Sequence, residues 1–575
     1  MTPSIAPTTS PSAGRPPLWG SAVAAFGRLA QTFTSNQAAA IALAFPIAVA
    51  LLAPLGPLAA NRFHRDEAVY SSWGLDIASG RDLLVSGSPV DKPPLFLYTQ
   101  ALSFALFGPT EVAARLPSLV ASVIGVALTY ALGRSLYGRG VGLLSAFLLA
   151  ASPFAILFAP TAFTDPVMVA WMLAGCVAAV RGRWGWAGVA LGLAALTKQQ
   201  GVFFVPLAVG LGKISKSASR QISKSPISNL QPPTSNLQPP TSPGPRGGAR
   251  TGNLQSPILS FAIAFLLVAG LALGWDVARA RYPGFLVQSL ASYGGLSPEP
   301  AAVWGRLLGF WELLQYGTGS PILNGILLAG LPLLLVVDIL TCVCPTPPLL
   351  PPISGGEGGW GDEGADLMLL GFTLAFLVGH SLVAFQVWDR YLLGLIPLLA
   401  LLLARILTLP WRLLKSHAWR FPLRVPDSPI PPFLYLIFVL SVLSFTLRPI
   451  QDAAASRFPI GGDHGAYQGL EQVVGYLQTV PADTTLYHRW LGWHWRFYLW
   501  GSPYDFRAWT SPADLATQAA ARPHARRYVV FPGWYSSTEA RLALADVGLA
   551  LHEVHRTFRD DGSVSFIIYR IEEAQ

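Results

Sequence analysis

The sequence predicts a polytopic α-helical membrane protein with about eleven transmembrane helices, followed by a small C-terminal α/β domain on the extracytoplasmic side. Three observations support this fold class. The 575 residues are 52% apolar and only 12% charged, whereas a soluble protein carries about a quarter charged residues. Uncharged apolar runs of about 17–25 residues, long enough to cross a bilayer, recur as far as residue 450. From residue 451 onwards this pattern is lost.

The first part of the chain divides into a tail, a membrane domain and a linker within that domain. Residues 1–36 are rich in Pro, Ser and Thr and predict a disordered cytoplasmic tail. Residues 37–450 form the predicted membrane domain. Within it, residues 213–256 predict a disordered cytoplasmic linker, because Pro-rich polar sequence with the repeat NLQPPTS cannot bury a core. The spans are expected near 38–60, 113–133, 141–159, 166–180, 184–198, 200–212, 257–275, 320–338, 367–388, 391–408 and 430–447.

The basic residues indicate the orientation in the membrane. With the N-terminus in the cytoplasm, Lys and Arg cluster in the cytoplasmic loops, as the positive-inside rule requires. This orientation places the first outer loop, residues 61–112, and the C-terminal residues 451–575 outside. The net charge of +9 therefore reports topology and gives no argument for a nucleic-acid partner. Three cysteines predict neither a disulfide framework nor a zinc site.

Acidic residues follow two of the apolar spans. Asp66 and Glu67 come a few residues after the first span, and Asp165 stands where a later span begins. Because both places are expected at the outer face, the acids can share one site at the membrane surface. Residues 66–78 are expected to form an interfacial helix, and residues 94–107 an interfacial or re-entrant piece.

The C-terminal residues 451–575 predict a soluble α/β domain. The aromatic run His488–Trp500 is interpreted as packing against the membrane interface, and a sugar or acceptor platform is the less favoured alternative. The remaining expected elements are the strands Tyr528–Phe531 and Val564–Ile571, the helices Leu515–Ala521 and Thr538–Val547, and a hairpin turn at Asp560–Ser563.

A series of motifs resembles the GT-C superfamily. More narrowly, it is similar to the dolichyl-phosphate-mannose protein mannosyltransferase and aminoarabinose-transferase group, which is glycosyltransferase family 39-like. The resemblance covers about residues 60–450 and depends on the order of the motifs. The motifs are Asp66-Glu67, Asp91-Lys92-Pro93-Pro94-Leu95, Glu111-Val-Ala-Ala-Arg115-Leu-Pro-Ser118, Gly133-Arg-Ser-Leu-Tyr-Gly138, Thr164-Asp165-Pro166, Leu196-Thr-Lys198 and Asp389-Arg390-Tyr391-Leu392.

The resemblance implies an inverting hexosyl or pentosyl transferase in the plasma (inner) membrane of a cell envelope. Its partners would be a polyprenyl-phosphate sugar donor, the lipid bilayer and a hydroxyl-bearing acceptor, which is a protein, a lipid or a glycan. The active site would face the extracytoplasmic side, and no cofactor would be required. The alternative is a polytopic transporter or flippase of lipid-linked sugars, although such proteins place ionisable groups near mid-membrane, often in paired repeats.

The resemblance also assigns roles to the acids. Asp66 is the expected general base, which takes the acceptor proton, and Glu67 belongs to the same acidic motif. Asp165 is expected to hold the acceptor or to tune Asp66; which of Asp66 and Asp165 is the base stays open. Arg65 is expected to keep Asp66 ionised. Asp66 and Glu67 as simple caps of the following helix are the alternative.

Basic residues are expected to bind the phosphate of the lipid. Lys92 and Arg390 are the main candidates, and Arg115 and Lys198 are the secondary ones. Tyr391, beside Arg390, is a further site candidate, although the Arg390-Tyr391 pair is equally expected as an interfacial anchor. The other candidates are Asp91 and His64, which could supply ligands to a divalent metal; this is a minor alternative, and no metal site is predicted.

Overall fold

The computed structural model describes residues 35–223, 256–281, 283–292, 298–343, 361–383, 386–415 and 432–574. Nearly all of the predicted tail, residues 1–36, lies outside this part of the chain, and so does most of the predicted linker. The start of the predicted linker is wrong, because the helix that precedes it continues to Ser223. The repeated NLQPPTS segment lies outside the described residues.

In the described ranges up to residue 454, the regular secondary-structure elements are helices joined by loops. They are α1 Ser35–Leu52, α2 Leu55–Ala60, α3 Arg65–Ala78, α4 Leu95–Phe107, α5 Glu111–Tyr137, α6 Arg139–Ala150, α7 Pro153–Phe158, α8 Asp165–Val180, α9 Trp184–Thr197, α10 Val205–Ser223, α11 Pro257–Arg279, α12 Phe285–Ser292, α13 Val303–Leu314, α14 Pro321–Val343, α15 Gly361–Leu382, α16 Ile396–Lys415 and α17 Pro432–Ala454. Short 3₁₀ helices at Gln199–Phe204, Pro300–Ala302, Gln315–Gly317 and Asp389–Leu392 connect some of them.

The protein is an integral membrane protein. Among the described helices, six are long and apolar enough to cross a membrane, at Ala40–Ala60, Glu111–Tyr137, Pro257–Arg279, Pro321–Leu340, Asp362–Leu382 and Phe433–Ala454. The expected count of about eleven is not confirmed. Although a helix occupies each predicted span, α8 has 16 residues and α9 has 14, whereas about 20 are needed to cross a bilayer.

Helix α3 forms a buried layer between the membrane helices and the C-terminal unit. The Ser72 hydroxyl donates to the Trp493 carbonyl oxygen at 3.1 Å, and the Arg496 guanidinium lies 2.8 Å from the Asp76 carboxylate. Residues 66–78 are helical, as expected, and their polar side chains bind partners within the protein. Their position at the membrane interface stays a prediction.

The C-terminal unit is built on one mixed sheet with strand order β2-β1-β3-β5-β4. Strands β2, β1 and β3 are parallel, whereas β5 runs antiparallel to β3 and to β4. Both predicted strands, both predicted helices and the hairpin turn are present. The elements are β1 Thr484–His488, β2 Asp505–Ala508, β3 Arg526–Pro532, β4 Leu549–Phe558, β5 Val564–Glu573, α18 Leu470–Leu477, α19 Gly492–Tyr498, α20 Pro512–Ala520 and α21 Thr538–Ala545.

The aromatic run at 488–500 joins the C-terminal unit to the first outer loop. The Phe497 ring lies 4.7 Å from the Phe63 ring, and the Trp493 ring lies 5.8 Å from that of Trp73. His494 Nε2 is 3.0 Å from the Phe63 carbonyl oxygen. The rings of this run pack against residues of the first outer loop and so hold the C-terminal unit over α3. These contacts give no support to the interpretation as a membrane-interface anchor.

Candidate active site

Asp66 lies in the first turn of α3 and points at a cation from a distant part of the chain. Arg390 Nη1 is 2.5 Å from Asp66 Oδ2, and the Asp66 side chain stays 31% exposed. Burial raises the pKa of Asp66, but the charge and hydrogen bond of Arg390, with smaller contributions from His64 and Lys92, outweigh burial and lower it. Asp66 is therefore ionised at neutral pH.

Arg390 also connects Asp66 to Asp165. It lies on the 3₁₀ helix Asp389–Leu392, and its guanidinium interacts electrostatically with both acids. It stacks 5.4 Å from the Phe163 ring, two residues before Asp165. The structure thus brings together the acids that follow two distant spans, as the motif order led us to expect.

Asp165 is more enclosed than Asp66. It is 1% exposed at the start of α8, and Lys198 Nζ lies 2.5 Å from its Oδ1 atom. Lys198 has an extended backbone at the break between α9 and the following 3₁₀ helix, with its ammonium 5.0 Å from the Tyr391 ring. The break turns Lys198 towards Asp165, so its charge is already matched by a carboxylate. Tyr391 lies beside this pair as a buried ring.

Lys92 and Asp91 form a third acid–base pair. Lys92 Nζ lies 2.5 Å from Asp91 Oδ2 and 6.0 Å from the Tyr70 ring centre. Lys92 is near enough to Asp66 to lower its pKa. Gln199 Nε2 donates to the Asp91 carbonyl oxygen at 2.7 Å, which fixes the motif against the end of α9.

His64 acts as the N-cap of α3. Its Nδ1 accepts a hydrogen bond from the Asp66 backbone N–H at 3.2 Å, while Glu67 bonds back to the His64 N–H at 2.9 Å. This reciprocal arrangement is a capping box, which satisfies the first amides of a helix. Neither His64 nor Asp91 belongs to a group of three or more His, Cys, Asp or Glu side chains that could hold a metal ion within the described residues.

Glu67 and Arg115 form a closed pair that is separate from the Asp66 site. Glu67 is 0% exposed and Arg115 is 1% exposed, with Arg115 Nε 3.0 Å from Glu67 Oε1. Glu67 also accepts from the Ala162 backbone N–H at 2.7 Å. This pair faces the protein interior, so the expected roles of Glu67 in catalysis and of Arg115 in phosphate binding gain no support from it. The other acceptors of Arg115 are the carbonyl oxygens of Asn61 and Arg62 and the carboxylate of Glu111.

Arg65 does not have its expected role either. Its side chain is exposed, and the cation that lowers the pKa of Asp66 is Arg390. Successive helical residues point about 100° apart, so neighbours in sequence face different surroundings. Both residues act on Tyr467, but the cation that pairs with the Asp66 carboxylate is Arg390.

Sequence reasoning missed a loop that lies beside this site, residues 460–469. The Gly461 N–H donates to Asp389 Oδ2 at 2.8 Å, which connects the loop to the residue before Arg390. Tyr467 interacts electrostatically with Asp66, and His464 interacts with His64. The signal in the sequence is the run Gly461-Gly462-Asp463-His464-Gly465, because closely spaced glycines favour unusual backbone turns.

Comparisons with known proteins agree with this architecture. Residues 91–230 match the family model described as dolichyl-phosphate-mannose-protein mannosyltransferase. The chain is similar to the structure of ArnT from Cupriavidus metallidurans in the apo state, with a TM-score of 0.56 and 16% identity over 93% of this chain and 98% of that chain. Similarity to ArnT bound to undecaprenyl phosphate has a TM-score of 0.55 and 15% identity, with the same coverage.

Comparison with curated proteins gives no match. The family match and the ArnT structures confirm the resemblance that the motifs predicted. The chain therefore has the fold of the GT-C membrane glycosyltransferases and, over residues 91–230, resembles the protein mannosyltransferase family.

Proposed function

We propose that this protein is a membrane glycosyltransferase that moves a sugar from a polyprenyl-phosphate carrier to a hydroxyl acceptor on the extracytoplasmic face. The observation that carries the proposal is the meeting of Asp66 and Asp165 around Arg390. Charged groups of both signs at the end of apolar helices suit a substrate with a lipid tail, a phosphate and a sugar. The ArnT structure with undecaprenyl phosphate supports this donor class.

The reaction needs a base and a stabilised leaving group. The acceptor oxygen attacks the anomeric carbon, and the bond from that carbon to the phosphate oxygen breaks with its electron pair going to the phosphate. The acceptor proton goes to a carboxylate, and attack from the opposite side inverts the configuration. Asp66 is 31% exposed whereas Asp165 is 1% exposed, so Asp66 is the better placed to receive a proton.

The Asp66–Arg390 pair makes the strength of the base depend on whether the donor is bound. In the free protein Arg390 lowers the pKa of Asp66, which makes the carboxylate a weak base. A phosphate that binds Arg390 takes over part of this charge, since a guanidinium binds phosphate well. The pKa of Asp66 then rises, and the base becomes stronger only when the donor is in place.

The remaining residues have supporting roles. Lys92, near Asp66, adds positive charge for the departing phosphate oxygens. Asp165 and Lys198 form a neutralised pair that fixes the far wall of the site.

The proposal is tested by Asp66→Asn in the full chain reconstituted into nanodiscs. We expect transfer from a panel of polyprenyl-phosphate sugars to fall about 10²–10⁴-fold, measured by the mass shift of the acceptor, while thermal stability stays near that of the wild type. Asp505→Asn is the matched control, because Asp505 also pairs with arginines but lies in the C-terminal unit. Turnover like that of the wild type in Asp66→Asn would overturn the assignment of the base.

A further inference from the structure

Three uncharged ring side chains of the C-terminal unit form a strip that begins beside the acid site. The Tyr467 ring lies 4.4 Å from the His494 ring, which contacts the Phe63 carbonyl oxygen, and 5.9 Å from the ring of Trp534 at an angle of 87°. Arg65 and Asp66 both interact electrostatically with Tyr467. His464, from the same loop as Tyr467, faces His64 and Asp389. The strip, defined as His464, Tyr467 and Trp534, therefore starts at the proposed base and extends over the C-terminal sheet.

Trp534 is displayed by a tightly packed turn. Its side chain is 50% exposed, and its ring lies 6.2 Å from the buried Phe566 ring. A Cβ atom on Gly533 would approach the Val564 carbonyl oxygen to 2.0 Å, so only glycine permits the contact that holds this turn on β5. The Gly533 N–H also donates to the Ser565 carbonyl oxygen at 2.6 Å. A large apolar ring is thus kept in solvent on a fixed backbone.

The loop that carries His464 and Tyr467 is held in an unfavourable conformation. His464 has φ +50°, in the left-handed region that costs a non-glycine residue about 1–2 kcal/mol. Its side chain is exposed, whereas Asp463 is 3% exposed with an Oδ1 atom that lacks a hydrogen-bond partner. Glycine at position 464 would adopt this backbone conformation without strain. The chain has histidine there instead, which places an imidazole at the edge of the site.

The chemistry of the strip fits a neutral sugar. Partial loss of contact with water lowers the pKa of the His464 imidazole, and the charge of His64 adds to this shift. Indole, phenol and neutral imidazole offer apolar faces with a few hydrogen-bonding atoms, and a pyranose ring has an apolar C–H face with hydroxyls at its edge. None of the three members of the strip carries a permanent charge, and Arg65, the cation that acts on Tyr467, is the residue before Asp66.

We infer that His464, Tyr467 and Trp534 form the acceptor subsite, and that the acceptor is a neutral glycan whose sugar ring stacks on Trp534 while a hydroxyl reaches Asp66. This inference rests on the proposed transferase function and narrows its acceptor to one class. It also places the sugar platform on residues other than those of the 488–500 run.

The test separates binding from transfer, with the full chain in phosphatidylcholine nanodiscs. Binding of mannotriose and maltotriose is measured by saturation-transfer NMR, and transfer is measured with the same sugars, a Ser/Thr-containing peptide and a phospholipid as acceptors. We expect a trisaccharide to bind the wild type, Trp534→Ala to weaken binding about tenfold, and Trp534→Phe to restore most of it. Leu542→Ala, which removes an exposed apolar side chain from α21, should bind like the wild type.

His464→Ala should raise the KM for the glycan several-fold and leave donor affinity unchanged, whereas His524→Ala, at another exposed histidine of this unit, should change neither. Equal trisaccharide binding by the wild type and Trp534→Ala would overturn the subsite, and so would transfer only to the peptide or the phospholipid. Trisaccharide binding that depends on Trp534, with no transfer to any acceptor, would leave the subsite standing and overturn the transferase proposal.

Discussion

Asp66 and Glu67 are adjacent acids that each pair with an arginine from another part of the chain, and the two pairs differ in accessibility. The side chains of Asp66 and Arg390 are 31% and 11% exposed, whereas those of Glu67 and Arg115 are 0% and 1% exposed. The open pair retains contact with solvent, so a substrate can reach it. The closed pair has all its partners inside the protein and can only hold the fold together.

The difference shows that accessibility decides what an ion pair can do. A closed pair needs hydrogen bonds for every polar atom, because burying a charge without them is costly. Glu67 has such bonds from α5, from the α3 N-terminus and from Ala162. Asp66 has fewer fixed partners, which leaves room for an incoming hydroxyl.

The largest effect is expected on breaking the closed pair with Arg115→Met. This leaves Glu67 buried without its cation, which should cost about 3–5 kcal/mol of stability. Arg390→Met, which breaks the open pair, should cost less than this, because Asp66 keeps contact with water when its partner is removed. Thermal unfolding of the purified protein in detergent measures both. Equal losses would remove the distinction between the two pairs.

A pH effect is expected from Asp463, which lies beside the closed pair. Burial raises the pKa of Asp463 to about 6, and the negative charge of Glu67 adds to the rise. The folded state therefore binds this proton more tightly than the unfolded state, where the pKa is about 3.9. The stabilisation is complete below pH 4 and is lost as the pH rises through about 6, by an amount on the order of 3 kcal/mol.

Asp463→Asn should remove this pH dependence, because an amide does not titrate and its oxygen can still accept from the Tyr467 N–H. Comparing the unfolding temperature of the variant and the wild type at pH 5 and pH 8 is the measurement. A wild-type stability that rises between these values relative to the variant would contradict the expected sign.

The two lysines sharpen the comparison at the open pair. Lys92 pairs with Asp91, whose side chain is 19% exposed, and also acts on Asp66, whereas Lys198 pairs with Asp165, whose side chain is 2% exposed. We expect Lys92→Ala to weaken binding of a polyprenyl-phosphate sugar about tenfold, which is the ordinary contribution of a charged hydrogen bond. Lys198→Ala should weaken it less. Titration of the donor into nanodiscs decides the ranking, and equal affinities would refute it.

The smallest effect is expected at Arg65. Because its side chain is exposed and Arg390 is the cation on Asp66, Arg65→Ala should change turnover by about twofold or less, the range of an exposed charge. Steady-state transfer kinetics would measure the change. A tenfold loss would mean that Arg65 reaches the substrate after all.

The motif order led us to expect Asp66 and Asp165 in one site and Arg390 on the same side of the membrane, because apolar spans and loop charges indicate which ends share a face. The structure pairs Asp66 with Arg390, whose charge also acts on Asp165. The motif order could not separate Asp66 from Glu67. Their difference depends on helix phase and on the Ala162 N–H, 95 residues further along the chain. No local pattern in the sequence contains such a contact.

The same limit applies to the C-terminal unit. Strands β3 and β5 were predicted from their apolar runs, whereas β1, β2 and β4 were not predicted; β4 shows why. A register shift between Glu553 and His555 interrupts its alternation of buried and exposed residues. The position of residues 460–469 beside the site could not be predicted either, because Gly461 and Asp389, which are in contact, lie 72 residues apart in the chain.

The Asp389 side chain links the two domains of the protein. One of its carboxylate oxygens accepts from the backbone of Arg390 at 2.7 Å, and the other accepts from the backbone of Gly461 at 2.8 Å. A single side chain thus ties the guanidinium-bearing turn of the membrane domain to a loop of the sheet domain. Movement of the sheet domain away from the membrane domain would therefore break one of these hydrogen bonds or displace Arg390 together with the loop.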